Sequence, residues 1–230
     1  MRDVTSNIFI GQYDQFQIAY RKNTADEKVI NHSFSNDIFL KELDFYKPSC
    51  GDTIVEIGAH IGTFSVLAAD KIKPGRFFAI EACKDTFNLL KINSCLNWLD
   101  NIKVFNCAIS EESKKTRLYY DIGNWGNSIV CEMSNEYEEI DSITLNHLFD
   151  AEKIDKCNLL KMNCEGAEFP ILFATEKRIF DKIDNLLILY HRHLWKKQSP
   201  EELNDFIIRM GFKTYQRNFD GTNGWIIGHK

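Results

Sequence analysis

The sequence predicts an open, largely parallel α/β sheet with helices on both faces. Three observations carry this. From Thr53 onward, short apolar runs alternate with longer stretches of helical spacing, the rhythm of βαβ units. The first of those runs, 53–57, ends in a glycine turn that opens straight into a helix. The chain has 230 residues, 44% of them hydrophobic and 27% charged, which suits one core and excludes a disordered chain.

Taken in order, residues 1–34 read differently from the rest. Residues 7–11 and 16–21 are short mixed runs, a hairpin extension or a cap on the core. Residues 35–230 form the main domain. Ser35 is a plausible N-cap for a helix through Phe39, Leu40, Leu43 and Phe45, closed by Pro48 and Gly51. Residues 53–57 are the first strand, and a helix over 62–72 stops at Pro74-Gly75. Residues 76–81 are the second strand. Residues 86–99 are helical, with Phe87, Leu90, Ile92, Cys95 and Leu96 available for an apolar face. Residues 102–108 are the third strand. Later strands are expected at 158–162 and 186–190, with a helix near 167–174 between them. A helix over 201–210 starts at Ser199-Pro200 and ends at Gly211. Residues 212–216 and 225–228 flank Asp220-Gly221 and read as an antiparallel pair at the sheet edge. The stretch 114–145 interrupts the rhythm. Strand-like pieces at 118–120 and 128–131 flank Gly123-Asn124-Trp125-Gly126, an inserted hairpin near the sheet's carboxyl edge.

Composition excludes several functions. A net charge of −5 offers no basic footprint for nucleic acid. No apolar run approaches the roughly 20 residues that span a bilayer, and Met1–Ser6 lacks the apolar core of a secretory signal. Seven scattered cysteines without a C-x-x-C pair argue against a zinc site or a disulfide framework. The expectation is a cytoplasmic protein with reduced thiols.

The strongest chemical signal is Val55-Glu56-Ile57-Gly58-Ala59-His60-Ile61-Gly62-Thr63-Phe64: strand, glycine turn, helix start. No Lys-Ser/Thr pair follows, so it is not a Walker loop, and the glycines lack the G-x-G-x-x-G spacing. Glycines here let a ligand approach the backbone. A ligand with a carboxylate and an amine but no pyrophosphate suits the arrangement. The helix N-terminus near Gly62 and Thr63 attracts the carboxylate, and Glu56 lies on the amine side. S-adenosylmethionine has these groups. Glu81 ends the second strand, where an acid accepts hydrogen bonds from both ribose hydroxyls; the other reading is a solvated strand-end acid. His60 lies in the turn, beside the cofactor.

These blocks in order resemble class I S-adenosylmethionine-dependent methyltransferases, and within them the FkbM family. Gly51-Asp52 leads into Glu56–Gly62 of the turn; Glu81-Ala82, then Leu90, Asn93 and Ala108 follow. Thr144-Leu145 resembles the family's Thr-Leu-Asp. Leu160-Lys161-Met162-Asn163-Cys164-Glu165-Gly166-Ala167-Glu168 resembles its Lys-Ile-Asp-Val-Glu-Gly-x-Glu, and Tyr190-His191 its strand-ending His. The resemblance covers about residues 35–195. It implies a Rossmann-like class I methyltransferase sheet, mostly parallel with an antiparallel terminal strand. It also implies S-adenosylmethionine as cofactor, leaving as S-adenosylhomocysteine. Glu56, Gly58, Ala59, His60, Gly62, Thr63, Glu81, Ala82, Ala108 and Asn163 would surround it. Two residues depart from the pattern: Asn163 and Asn146 stand where the family usually has Asp. Asn is neither a base nor a charged ligand, so Asn163 keeps only a polar contact.

Family members mostly methylate oxygens, in glycan sugars or in natural products. The expected acceptor is a carbohydrate hydroxyl, free, nucleotide-linked or lipid-linked. The rivals are a natural-product hydroxyl or amine, and a non-catalytic cofactor-binding module in glycan assembly. A sugar hydroxyl is a poor nucleophile, and a general base helps by about 10²–10⁴-fold. Glu165 and His191 are the catalytic candidates. Glu165 equally reads as an acid stabilising the helix that starts near Ala167, and His191 equally as a hydrogen-bonded structural residue. Glu168 and His193 are placed on the acceptor side. If the strand continues, His193 shares a face with His191, and the two with Glu165 form a cation site. A divalent cation is allowed but not favoured, because Asn163 removes a natural ligand, and no metal ligand is assigned. Trp125 reads either as a lid residue over a sugar ring or as packing against its own domain.

Overall fold

The chain is described by a computed structural model covering residues 8–35, 41, 43–121, 126–132, 134–195, 197–218 and 221–230. It opens with a hairpin: β1 (Ile8–Tyr13) pairs antiparallel with β2 (Phe16–Arg21). Helix α1 (Ala25–Ile30) follows, its first turn capped by the Thr24 hydroxyl, which accepts from Asp26 N. Ser35 ends a π-helical turn, Asn31–Ser35, and the start of the helix expected after it lies outside the described residues. Phe39 and Leu40 of that helix also lie outside the described residues, whereas Leu43 and Phe45 are described and are not helical, Phe45 standing in a turn.

From β3 (Thr53–Ile57) the βαβ rhythm takes over: α2 (Thr63–Ile72), β4 (Arg76–Ile80), α3 (Lys84–Leu96) and β5 (Ile102–Phe105). The insertion supplies β6 (Ala108–Ile109), β7 (Lys114–Tyr119) and β8 (Tyr137–Ile143). Then come α4 (Leu145–Ala151), β9 (Leu159–Met162), α5 (Glu168–Ala174), α6 (Lys177–Phe180), β10 (Asn185–His191), α7 (Pro200–Arg209), β11 (Lys213–Asn218) and β12 (Asn223–His229).

Seven strands form the central sheet in the order β11-β12-β10-β9-β3-β4-β5. From β5 to β10 all pairings are parallel. The last strand reverses, slotting antiparallel between β10 and β11. This is the Rossmann-like sheet that the sequence predicts. Both faces are buried, so the inner strands are apolar at nearly every position. Alternate residues serve opposite faces. Val55, Phe78, Leu160 and Ile188 pack with Phe149, Leu172 and Ile207 of α4, α5 and α7. Ile54, Phe77, Leu159 and Leu187 pack with Phe64, Ala68 and Leu90 of α2 and α3, and with Phe16 and Ile18 of the hairpin. Each such side chain, fully buried, stabilises by roughly 1.5–3 kcal/mol.

The helix limits follow local chemistry. The Ser199 hydroxyl accepts from Glu202 N at 3.1 Å to start α7, with Pro200 in its first turn. The Thr144 hydroxyl caps α4 through His147 N at 3.0 Å. Asn146, in place of the usual Asp, still accepts from Glu176 N at 3.0 Å.

Two expectations need correction. The third strand stops at Phe105. The Asn106 side-chain amide donates to the carbonyls of Glu81 and Ala82 at 3.1 and 3.0 Å, and the chain bends away before β6 joins a separate sheet of order β6-β8-β7. In that sheet β7 pairs with β8 over 137–143, not with 128–131, which touches β7 through one bridge at Ser128. The cause is apolar: Ile140 joins Leu118, Ala108 and Cys83 in a small core of its own. Among the described residues, no helix is long and apolar enough to cross a membrane.

Candidate active site

A cavity of about 540 Å³ opens at the carboxyl ends of β3, β4, β9 and β10, where ligands sit in open α/β sheets. The N-terminal segment and the insertion complete its walls.

Its floor is the glycine turn. Gly58 has φ +77, and a Cβ there would lie 1.8 Å from the Asn163 carbonyl oxygen, so only glycine lets the ends of β3 and β9 meet. The N–H groups of Gly58 and Ala59 both donate to the Ile80 carbonyl at 3.0 Å. Ala59, His60, Thr63, Ala82, Ala108 and Asn163 all line the cavity. Gly62 does not. It has φ +83, and a Cβ there would lie 2.4 Å from Leu90 Cδ1, so its bareness serves the packing of α2 on α3.

Glu56 lines the cavity and also has a buried partner. Its register partner on β9 is Lys161, whose Nζ donates to Glu56 Oε1 at 2.7 Å, and Oε2 takes the Ser65 hydroxyl. Glu56 and Lys161 are only 1% and 2% exposed. Burial raises the Glu56 pKa, and Lys161 and Ser65 offset that only in part. The carboxylate still borders the cavity, but it is first of all the partner of Lys161.

Glu81 stands at the end of β4. Its Oε2 accepts from His60 N and its Oε1 from Cys83 N, both at 2.9 Å. Burial pushes its pKa to about 7, against the pull of those two N–H groups. The carboxylate is thereby aimed and fixed. Asn163 N donates to the Ile57 carbonyl at 2.9 Å, while its side-chain Oδ1 is buried without a hydrogen-bond partner among the described residues. An orphan acceptor, a close backbone at Gly58 and an oriented acid at Glu81 fit S-adenosylmethionine.

The opposite end is built from side chains. After β9 the chain passes through Glu165 at φ +49 and Gly166 at φ +93, a sharp left-handed turn into α5. Ser128 of the insertion donates to the Glu165 carbonyl at 2.7 Å. Gly126 lies over the Glu165 carboxylate, so closely that a Cβ there would lie 2.7 Å from Oε2. His191 Nε2 lies 3.3 Å from Glu165 Oε1, and its Nδ1 lies 2.9 Å from Glu168 Oε1. The imidazole is thus bracketed by two carboxylates. Burial alone would lower its pKa, but the charge and hydrogen bond of Glu168 and the charge of Glu165 together raise it. Burial pushes the Glu165 pKa up to about 7; His191 pulls it down, while Glu168 and Asp121 push it up.

Two acceptor-side expectations change. Glu168 is 0% exposed and absent from the cavity wall; its Oε1 also accepts from Cys164 N at 3.2 Å, so it sits behind His191. His193 lines the cavity, but β10 ends at His191 and 192–194 form a 3-10 turn, so the two histidines do not share a strand face. No cluster of three His, Cys, Asp or Glu residues among those described could hold a metal ion. Trp125 lies outside the described residues.

Other lining residues escaped the sequence reading: Val29 and His32 from the N-terminal segment, and Asp121, Asn127 and Asn223 on the acceptor side. None belongs to a local motif. The bareness of Gly126 beside the insertion's Trp was the one available signal.

Comparison with known proteins agrees with this geometry. The family model described as "Methyltransferase FkbM domain" matches residues 56–214. The chain is similar to "Methyltransferase 1" of Beauveria bassiana, 23% identical over 66% of this chain and 70% of that protein. It is also similar to "Methyltransferase sdnD" of Sordaria araneosa, 26% identical over 59% of this chain and 64% of that protein, just under two thirds of its length. Among solved structures, precorrin-6y C5,15-methyltransferase from Geobacter metallireducens superposes with a TM-score of 0.54 at 12% identity, covering 96% of this chain and 97% of that one. The METTL16 methyltransferase domain gives 0.55 at 14%, covering 87% and 68%. At such identities the structures speak for the fold.

Proposed function

The chain belongs to the FkbM family of S-adenosylmethionine-dependent methyltransferases, and from that premise we propose that it methylates a hydroxyl oxygen of a sugar or glycan. The observation that carries this reading is the Glu165–His191 contact at 3.3 Å, in the same cavity as the glycine turn and Glu81.

When bound, S-adenosylmethionine supplies a methyl group on a positively charged sulfur. Gly58, Ala59, Glu81, Ala82, Ala108 and Asn163 would hold it, with Thr63 and His60 beside them. The chain's own groups do the rest. The acceptor oxygen would take the methyl carbon and give its O–H proton to the Glu165–His191 pair, the methyl–sulfur bond breaking with its electron pair staying on sulfur to leave S-adenosylhomocysteine. With a pKa of about 7, Glu165 is matched to a proton given up near neutrality. Glu168 acts through His191, holding Nδ1 and leaving Nε2 toward the cavity. Asp121, Asn127, His193 and Asn223 give the acceptor wall a polar lining that suits a polyhydroxyl compound. Seven free cysteines support a reducing compartment such as the cytoplasm.

The test is turnover with methyl-labelled S-adenosylmethionine across a panel of glycosides, with fragmentation locating the methyl. The expected product carries it on a sugar oxygen. Glu165→Gln and His191→Ala should each lower turnover by about 10²–10⁴-fold while S-adenosylhomocysteine still binds. A methyl on nitrogen or on a natural-product hydroxyl would replace the acceptor assignment. Binding without turnover would favour the non-catalytic module.

A further inference from the structure

The N-terminal segment precedes the residues matched by the family model, 56–214, yet it forms part of the cavity wall. We propose that residues 21–33 are a functional part of the S-adenosylmethionine site, with His32 and Ser33 serving the carboxylate of the ligand's amino-acid end. This rests on the cofactor reading above.

Four observations meet here. First, Val29 and His32 line the cavity with Thr63, the first residue of the ten-residue helix α2. Second, the Ser33 hydroxyl donates to Thr63 Oγ1 at 2.7 Å, and both residues are buried. With its oxygen accepting from Ser33, the Thr63 hydroxyl keeps its own proton to donate, beside a helix N-terminus that favours negative charge. A neutral His32 ring adds an N–H donor, and burial and Lys28 keep its pKa low.

Third, the segment is bolted to the glycine turn. Asp26 is 0% exposed and accepts from Arg21 N, Nε and Nη2, each at 2.8 Å. The same carboxylate lies 3.7 Å from His60 Nε2. His60 has φ +53, a conformation that a side-chain-bearing residue holds only when its surroundings fix it, and its N–H aims Glu81. Arg21 also donates to Thr86 at 3.2 Å, a cavity residue in the first turn of α3. Fourth, buried Asn93 grips both sides: its Nδ2 donates to the carbonyls of Ala19 and Ile61, at 3.0 and 2.7 Å. The hairpin, the turn and α3 therefore share one polar anchor.

Two ligands separate direct contact from mere support. S-adenosylhomocysteine carries the amino-acid end; 5′-methylthioadenosine lacks it. Calorimetry on the full chain should show His32→Ala and Ser33→Ala weakening S-adenosylhomocysteine by about tenfold, the worth of one hydrogen bond to a charged group. Methylthioadenosine should bind both variants as it binds wild type. Asp26→Asn should weaken both ligands, because it loosens His60 and Glu81. If that variant does not fold, the other two still decide. The proposal is overturned if His32→Ala and Ser33→Ala bind S-adenosylhomocysteine like wild type, or if they lose both ligands alike with a lower unfolding midpoint. Failure of the wild type to bind S-adenosylhomocysteine would sink the cofactor reading and this proposal together.

Discussion

At the glycine-turn end of the cavity the wall is mostly main chain; at the β9–β10 end it is side chains. The first end is held by backbone bonds between neighbouring strands, such as Gly58 N and Ala59 N to Ile80 O. The second rests on Glu168, His191 and Glu165, drawn from the start of α5, the end of β10 and the turn after β9. A wall of main chain tolerates almost no added atoms and itself takes up no proton, so pH acts at that end through Glu81. A wall of titratable side chains accepts isosteric change but answers to every proton. The contrast suits a constant cofactor at one end and a variable acceptor at the other.

This contrast can be broken at several points. The largest effect is expected for Gly58→Val, which forces a branched side chain onto the Asn163 carbonyl at positive φ. Calorimetry should find no S-adenosylhomocysteine binding, and retained binding would disprove the main-chain account. Next comes Lys161→Met, which leaves Glu56 buried and unpaired. Breaking such a pair costs about 3–5 kcal/mol, read as a lower midpoint in urea. An unchanged midpoint would mean that Glu56 takes up a proton at no cost.

A smaller effect is expected at the other end. Glu168→Gln keeps the shape but removes the nearer negative charge from His191. Turnover should fall by about tenfold, roughly one pKa unit of lost support, and the pH profile should shift. A fall with an unmoved profile would make Glu168 structural only. The mildest test needs no mutation. Glu81 and Glu165 have folded pKa values of about 7, raised mainly by burial above the 4.5 of an exposed carboxyl. Below 4.5 both states hold these protons, so the two acids cost nothing. Between 4.5 and 7 the unfolded chain releases them first, and their contribution to stability is lost as pH rises through that window. Glu165→Gln should flatten part of that fall in the denaturation midpoint. Turnover should move the opposite way, rising through pH 7 as Glu165 ionises.

Legibility in the sequence followed the same divide. The glycine turn, the acid after the second strand and the Ser199-Pro200 helix start were readable because neighbours in sequence build them. The Glu165-Gly166 turn was visible as a motif, but the position of Glu168 behind His191 was not, since it depends on how α5 packs against β10. The pairing of β7 with β8 was hidden because Ile140 chooses its strand partner through a distant apolar cluster. Arg21 and Asp26 belong to no local motif, and only tertiary burial makes them an anchor.

The pairing of Lys161 has a bearing on which acceptors the cavity admits. Among the described lining residues it is the one Lys or Arg side chain, and Glu56 neutralises it. The other formal charges on the wall are Glu81, Asp121 and Glu165, with histidines between them. A phosphate brought into that space meets like charge, and His191, whose pKa is raised, is already held between Glu165 and Glu168. On the proposed acceptor reading, the enclosure would act as a charge filter, and neutral or amine-bearing sugars are expected to turn over ahead of nucleotide- or diphosphate-linked ones.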